Sequence, residues 1–255
     1  MRLSVVIPAR DEEGSIEQTV TEIVSALAKE QIPFEIVVVD DGSADQTVVR
    51  VRQLMACSPD IRLVRNTGSH GFGMAVRTGF AQATGEAIAV MMADGSDSPE
   101  DLVRYYRKMQ EGYDCAFGSR FIQGSKILDY PVHKLAINRM ANWFIRILFG
   151  LRYNDITNAF KCYRRQTIDG MQPLLSPHFN LTVEMPLKAI VRGYSYAVVP
   201  ISWTNRKSGM SKLKIKEMGS RYLFIVLHVW LEHHLSRGDY LRPEETEDRA
   251  ATRHA

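Results

Sequence analysis

Two carboxylates, Asp94 and Asp97, follow the apolar run Ala89-Val90-Met91-Met92-Ala93 and stand just before Ser98-Pro99. A strand that ends in a sharp turn before a helix, with Ser98 as N-cap and Pro99 in the first turn, sets both acids at the open carboxyl edge of a sheet. Hard cations such as Mg²⁺ or Mn²⁺ take oxygen ligands, commonly one or two carboxylates together with the phosphates of a substrate. Asp94 and Asp97 are therefore the candidate metal ligands. The same segment also reads as a helix-capping turn whose aspartates only decorate the loop, so other segments must decide.

Short β-branched runs flank a helical pattern at the start of the chain. Leu3-Ser4-Val5-Val6-Ile7-Pro8 and Phe34-Glu35-Ile36-Val37-Val38-Val39 are too short for ordinary helices and suit buried strands of a parallel sheet. Between them Ile16, Val20, Ile23, Val24 and Leu27 recur at helical spacing, with Ser15 and Gln18 placed as a capping box. The second run ends in Asp40-Asp41-Gly42-Ser43, a turn into a helix carrying Val48, Val51 and Met55, where Ser43 and Gln46 repeat the capping pattern. Ligands of open α/β sheets bind beyond the carboxyl ends of the strands, which would bring Asp40, Asp41 and the Asp94 turn to one pocket. Each turn alone is ordinary Asp-Gly chemistry. Three on one edge are harder to dismiss. Gly68, Gly71 and Gly73 do not make a clean dinucleotide-binding fingerprint.

Taken in order, Val5 to Glu12, Val38 to Thr47, Gly71 to Gly79, Phe117 to Phe121, Asp155 to Lys161, Val183 to Met185 and Val199 to Ile201, followed by Arg206, Gly209, Ser211 and Lys212, resemble one family. It is the family 2 glycosyltransferases of GT-A fold, within them the dolichol-phosphate mannose synthase-like branch. The resemblance implies an α/β fold with a Rossmann-like, mostly parallel sheet flanked by helices and a C-terminal amphipathic helix. It implies inverting transfer of a hexose, mannose or glucose type, from a GDP- or UDP-sugar donor to a polyprenyl phosphate acceptor. Carried over residue by residue, it puts Pro8, Ala9, Glu12, Asp40 and Asp41 against the nucleoside and Asp94 on the metal at the diphosphate. Arg120, Lys134, Arg206 and Lys212 would face phosphates, with Ser211 beside the acceptor and Asp155 near the reaction centre. One departure concerns Met92 and Ser96, where relatives usually carry aspartate and glutamine. A thioether is a poor ligand for a hard cation, so either Asp97 substitutes, or Asp94, diphosphate and water hold the metal weakly, or basic residues replace it.

Negative charge builds on the departing nucleoside diphosphate, so the site needs a preorganised cation there, a metal or Arg and Lys side chains. A phosphate monoester acceptor is already anionic and needs positioning by a fork such as Arg120 or Arg206. A hydroxyl acceptor needs a base, for which Asp155 is the candidate; Asp155 also reads as a structural partner of nearby backbone or Lys161. The stretch Ser202 to Ser211 lacks apolar periodicity and reads as a basic lid or as an exposed basic loop. Two other functions fit the same residues: a transferase acting on a saccharide or small-molecule hydroxyl, and a nucleotide-sugar-binding regulator without turnover, suggested by Met92.

With 255 residues and 45% of them hydrophobic, the chain can bury one sizeable α/β core. The expected organisation is a transferase domain over 1–235, with a nucleotide-binding half (1–118), an acceptor-binding half (119–212) and an amphipathic helix (213–235), then a mixed-charge disordered tail over 236–255. A net charge of +3 is too mild to argue for nucleic acid. Three dispersed cysteines and strand-like residues from Leu3 suit a cytoplasmic protein without a signal peptide. No apolar stretch approaches the ~20 residues that span a bilayer. Helices carrying Ile137, Ala141, Phe144, Ile145 and Leu148, and Tyr222, Ile225, Val226, Val229 and Trp230, have basic flanks. They suit peripheral contact with the inner membrane face or packing on protein.

Overall fold

The computed structural model describes residues 1–205 and 215–242, with 215–218 by backbone alone. Arg206, Ser211, Lys212 and the tail beyond 242 lie outside the described residues. The first half runs β1 (Leu3–Ala9), α1 (Ile16–Lys29), β2 (Phe34–Asp40), α2 (Thr47–Cys57), β3 (Ile61–Arg65), α3 (Phe72–Gln82), β4 (Ala87–Val90), α4 (Pro99–Gln110) and β5 (Cys115–Ser119). The second runs β6 (Lys126–Leu128), α5 (Val132–Phe149), β7 (Lys161–Arg164), α6 (Arg165–Gly170), α7 (Leu181–Val191), β8 (Tyr196–Pro200), β9 (Ser202–Thr204) and α8 (Ile215–Leu235).

Seven strands form one sheet in the order β3-β2-β1-β4-β7-β5-β8, and β6 pairs with β9 in a small second sheet. All neighbours in the large sheet are parallel except those of β7, which runs antiparallel to both β4 and β5. That reversal positions the site. The carboxyl ends of β1, β2, β4 and β5 share one edge, and the amino end of β7 arrives there too, bringing the Asp155 to Phe160 segment beside Asp94 and Arg120.

Helices cover both faces, so the strands alternate between two apolar layers. Val5, Ile7, Ile36 and Val38 join α1 and α4 on one side, whereas Val6, Val37 and Val39 meet α3, α7 and α8 on the other. Burial on both faces accounts for the unbroken apolar runs of β1 and β2.

Local detail departs from the expected caps. Ser15 precedes α1, but its hydroxyl donates to the carbonyl and carboxylate of Glu12, and no side chain caps the helix. Ser43 accepts the Asp11 N–H, and α2 starts only at Thr47, whose N–H and hydroxyl both go to Asp45. Loop-to-loop bonding outcompetes local capping at both places. Met55, expected on the inner stripe of α2, is exposed, and Val51 faces the core. Pro99 does open α4 after Ser98. Part of the expected lid is a strand, since Ser202–Thr204 pairs in parallel with Lys126–Leu128.

Both amphipathic helices bury one face and leave a second apolar face outside. Ile225, Val226 and Val229 of α8 are buried, while Leu223, Phe224, Leu227, Leu231 and Leu235 are exposed. On α5 only Asn142 and Ile145 are buried; Ile137 and Phe144 of the expected stripe are exposed along with Met140, Trp143 and Ile147. No helix among the described residues is long and apolar enough to cross a membrane. Residues 236–242, assigned by charge pattern to a disordered tail, fold back on the domain. The Arg242 N–H donates to the Arg192 carbonyl, its guanidinium approaches Asp114 at 3.4 Å, and the Arg192 guanidinium lies 5.1 Å from the Tyr240 ring.

Candidate active site

Asp40 and Asp41 stand at the end of β2 and are nearly inaccessible, at 3% and 5% exposure. Asp40 accepts the Ser43 N–H at 2.9 Å, which closes the turn. Asp41 accepts from Asn66 Nδ2 at 2.6 Å, from the Gly71 N–H at 2.8 Å and lies 3.2 Å from His70 Nδ1. Its carboxylate therefore organises the 66–71 loop at this sheet edge. Pro8 and Ala9 end β1 as buried residues directly opposite Val39 and Asp40. Glu12 is tied to the neighbouring loop through its N–H, which donates to Thr47 Oγ1 at 2.8 Å. Further bonds between Asp11, Glu13 and residues 43–46 lace the two loops together.

The glycines at the start of α3 serve protein packing. A Cβ on Gly73 would stand 2.3 Å from the Ser176 carbonyl oxygen, and one on Gly71, at φ +150°, 2.5 Å from that of Pro177. The Met74 N–H donates to Pro177 O at 3.2 Å, so a protein carbonyl takes a donor at this helix start.

Asp94 and Asp97 share the turn after β4 and are 9% and 6% exposed. Asp94 accepts the Ser96 N–H at 3.1 Å and Asp97 the Met92 N–H at 3.1 Å. Met92 thus supports the turn through its backbone. Burial, opposed by the Met92 hydrogen bond and reinforced by the negative charge of Asp94, pushes the Asp97 carboxyl up to about 7. Two neighbouring carboxylates, one of them resisting ionisation, fit a divalent cation that would relieve their repulsion. No group of three or more acidic, His or Cys side chains forms among the described residues, so substrate oxygens and water would complete the coordination.

A raised folded-state value makes the ionised Asp97 a burden on the fold, absent below pH ~4 and full above pH 7. Asp97→Asn is therefore expected to stabilise the metal-free protein by about 1–3 kcal/mol at pH 8 and to weaken Mn²⁺ binding about tenfold or more. If Asp97 is a ligand, Mn²⁺ affinity of the unsubstituted protein is expected to rise with pH through 7. Calorimetric melting and Mn²⁺ titration read both effects, and unchanged Mn²⁺ affinity in the variant would remove Asp97 from the ligand set.

Arg120, one residue past β5, meets Asp155 in a two-pronged buried pair. Asp155 Oδ2 accepts the Arg120 backbone N–H at 3.0 Å and Nε at 2.8 Å, and Oδ1 accepts Nη2 at 2.7 Å. Asp155 is 0% exposed and Arg120 8%. Burial opposes the charge of Arg120, and Asp155 more than restores it, raising its affinity for the proton. The rings of Phe121, Tyr130 and Trp203 lie 5.4, 5.6 and 5.8 Å from the guanidinium, an arrangement that favours a fixed cation. Below the pair sits Lys161, 1% exposed, whose ammonium donates to the carbonyls of Ile156, Asn158 and Thr182. Burial lowers it to about 7, against the pull of Asp155. Three acceptors for three N–H groups favour the charged form, and they hold the 155–158 segment in place.

Asp94, Asp97, Arg120 and Asp155 thus gather at one sheet edge, with Asp40 and Asp41 farther along it. Lys134 is exposed near the start of α5. The aromatic surround of Arg120, the anchoring Lys161 and the Asn66 and His70 partners of Asp41 escape sequence reasoning. Tyr130 follows the short strand β6 and Trp203 sits within the equally short β9, neither with a periodic signal, and only the ring-to-ring approach of 4.8 Å reveals them as a pair.

Comparison with known proteins identifies the family and the fold. The model of Glycosyl transferase family 2 matches residues 4–169. Polyprenol monophosphomannose synthase of Mycolicibacterium smegmatis is 31% identical over 218 residues, covering 83% of this chain and 81% of its own. Dolichol-phosphate mannosyltransferase of Pyrococcus furiosus is 33% identical over 220 residues; the match covers 85% of this chain and 60% of that longer protein. Among solved structures, glucosyl-3-phosphoglycerate synthase from Mycobacterium tuberculosis, in complex with UDP, superposes with a TM-score of 0.66 at 19% identity, covering 91% of this chain and 79% of that one. The same synthase has also been crystallised with Mn²⁺, UDP and phosphoglyceric acid, and at this identity the likeness establishes the shared fold. With a matching family model over most of its length and two relatives above 30% identity, this chain belongs to glycosyltransferase family 2.

Proposed function

We propose that this glycosyltransferase moves a hexose of the mannose class, with inversion, from a GDP- or UDP-linked donor to a polyprenyl phosphate at the inner face of a membrane. The observation that carries the reading is the commitment of Asp155. Both its oxygens are bonded to Arg120 and the group is sealed from solvent, so it lacks the access to an acceptor that a general base requires. A hydroxyl acceptor would be left without that base. A phosphate monoester, its second pKa near ~6, needs none. The names of the two relatives, a polyprenol monophosphomannose synthase and a dolichol-phosphate mannosyltransferase, point to the same acceptor class.

In this reading an acceptor phosphate oxygen attacks the anomeric carbon, the bond from that carbon to the donor diphosphate breaks, and the leaving oxygen takes the electron pair. Arg120, held in one orientation by Asp155, positions the acceptor phosphate. Lys134 joins it from α5; family resemblance assigns Arg206 and Lys212 to the phosphates and Ser211 to the acceptor. The loops ordered by Asp40 and Asp41, with Pro8, Ala9 and Glu12, bound the nucleoside site. Asp94 and Asp97 would hold Mg²⁺ or Mn²⁺, which when bound supplies positive charge to the departing diphosphate. The outer apolar faces of α5 and α8, with Lys134 and Arg139 nearby, suit an interfacial position beside a lipid acceptor.

The test is a transfer assay with GDP-mannose and UDP-glucose, Mn²⁺, and either a short polyprenyl phosphate or the corresponding polyprenol. Transfer to the phosphate with little or none to the alcohol is expected. Comparable transfer to the alcohol would overturn the reading.

A further inference from the structure

Beside Arg120, the rings of Tyr130 and Trp203 meet at 4.8 Å with an interplanar angle of 51°. Both residues are half-buried, and each keeps a polar edge, the Tyr130 hydroxyl and the Trp203 indole N–H. Neither edge is sealed from solvent, and neither has a hydrogen-bond partner among the described residues. An aromatic surface with unused donors at its rim is the chemistry that recognises a sugar, whose ring offers an apolar C–H face and hydroxyl oxygens around it.

Position decides which sugar. The strand that carries Trp203 is fastened to the Asp94 turn: Trp203 pairs with Asp97 in an isolated antiparallel bridge, and the Thr204 N–H donates to the Ser96 carbonyl at 3.1 Å. On its other side the Ser202 N–H donates to the buried Asp101 carboxylate at 2.6 Å, and Ile127 of β6 lies opposite Trp203 in the parallel pairing. From this fixed backbone the indole comes within 5.8 Å of the Arg120 guanidinium, and the Tyr130 ring within 5.6 Å. The positive charge of Arg120 also reaches Asp97, whose ionisation it favours. Trp203 thus spans from the turn assigned to the donor diphosphate to the cation assigned to the acceptor phosphate. The anomeric carbon passes from one to the other in the proposed transfer, so the hexose occupies the space between them. We propose that Trp203 and Tyr130 form the hexose platform of this enzyme: the glycosyl ring of the donor lies against the aromatic pair, the Trp203 N–H donates to one sugar hydroxyl oxygen, and the Tyr130 hydroxyl donates to a second.

The inference rests on the proposed places of the two phosphates, and its readout is donor binding without any acceptor. The platform can therefore fail while the polyprenyl phosphate reading stands, and the reverse. Full-length protein with Mn²⁺ is titrated calorimetrically with GDP and GDP-mannose and with UDP and UDP-glucose, and the pair that the parent binds more tightly is carried through the variants. Trp203→Ala is expected to weaken the sugar-linked nucleotide about tenfold or more while leaving the free nucleoside diphosphate within about twofold of the parent. The double variant Trp203→Phe with Tyr130→Phe keeps an aromatic ring at both positions and removes both polar edges. It should weaken the sugar-linked nucleotide about fivefold, again with the diphosphate unaffected. Parent-like donor binding by the double variant would overturn the platform. So would a loss shared equally by the nucleoside diphosphate in either variant, because Trp203 would then shape the Asp94 turn without touching the sugar. Binding of neither donor by the parent would overturn the platform together with the donor assignment.

Discussion

Asp155→Asn is expected to destabilise the protein by about 3–5 kcal/mol, because it strips a buried guanidinium of its counter-ion. Arg120 is 8% exposed, keeps its charge, and would face one amide in place of a carboxylate that now accepts three of its N–H groups. The loss appears as a lower midpoint in urea at an unchanged slope. Transfer activity should fall with it even where the variant is still folded, since Arg120 would no longer be aimed. A paired substitution, Arg120→Met with Asp155→Leu, separates the two effects. Replacing both charges with apolar groups of similar size should recover most of the stability and none of the transfer. Stability close to the parent in the single variant would show that the pair is more hydrated than its burial implies.

Glu184→Ala should produce a loss of similar size for a different reason. The Glu184 carboxylate is 0% exposed, accepts the Leu175 and Ser176 N–H groups and lies 2.9 Å from the Lys188 ammonium. Lys188, itself 1% exposed, also donates to the Pro173 carbonyl. Truncation leaves one buried cation without its anion and two backbone donors unpaired, together worth about 3–5 kcal/mol. The consequence reaches the proposed nucleotide site through contact. The 176–178 backbone that Glu184 fixes lies against Gly71 and Gly73, and Gly71 is held by Asp41. A weaker nucleotide affinity, read by calorimetry at a temperature where the variant remains folded, is therefore expected alongside the lower melting point. Unchanged nucleotide affinity would break the link between this loop and the Asp41 edge.

What the sequence by itself determined is the frame and the chemistry at its edge. Apolar runs at Leu3 to Pro8 and Phe34 to Val39, a helical period between them, and acids immediately after strand-like segments suffice to place Asp40, Asp41 and Asp94 at one rim, because strand ends and turns are local in the chain. The order and spacing of the longer motifs identify the family for the same reason, each motif being a contiguous stretch. Tertiary structure decided what those groups are free to do. Asp155 and Arg120 are 35 residues apart, and only the reversed direction of β7 brings them together and turns a candidate base into a committed counter-ion. The outer faces of α5 and α8 illustrate the same limit. Apolar residues lie on more than one side of each helix, and periodicity cannot say which side meets the core. Burial of Val226 and exposure of Phe224 follow from where α7 packs, and that packing depends on contacts between residues distant in the chain.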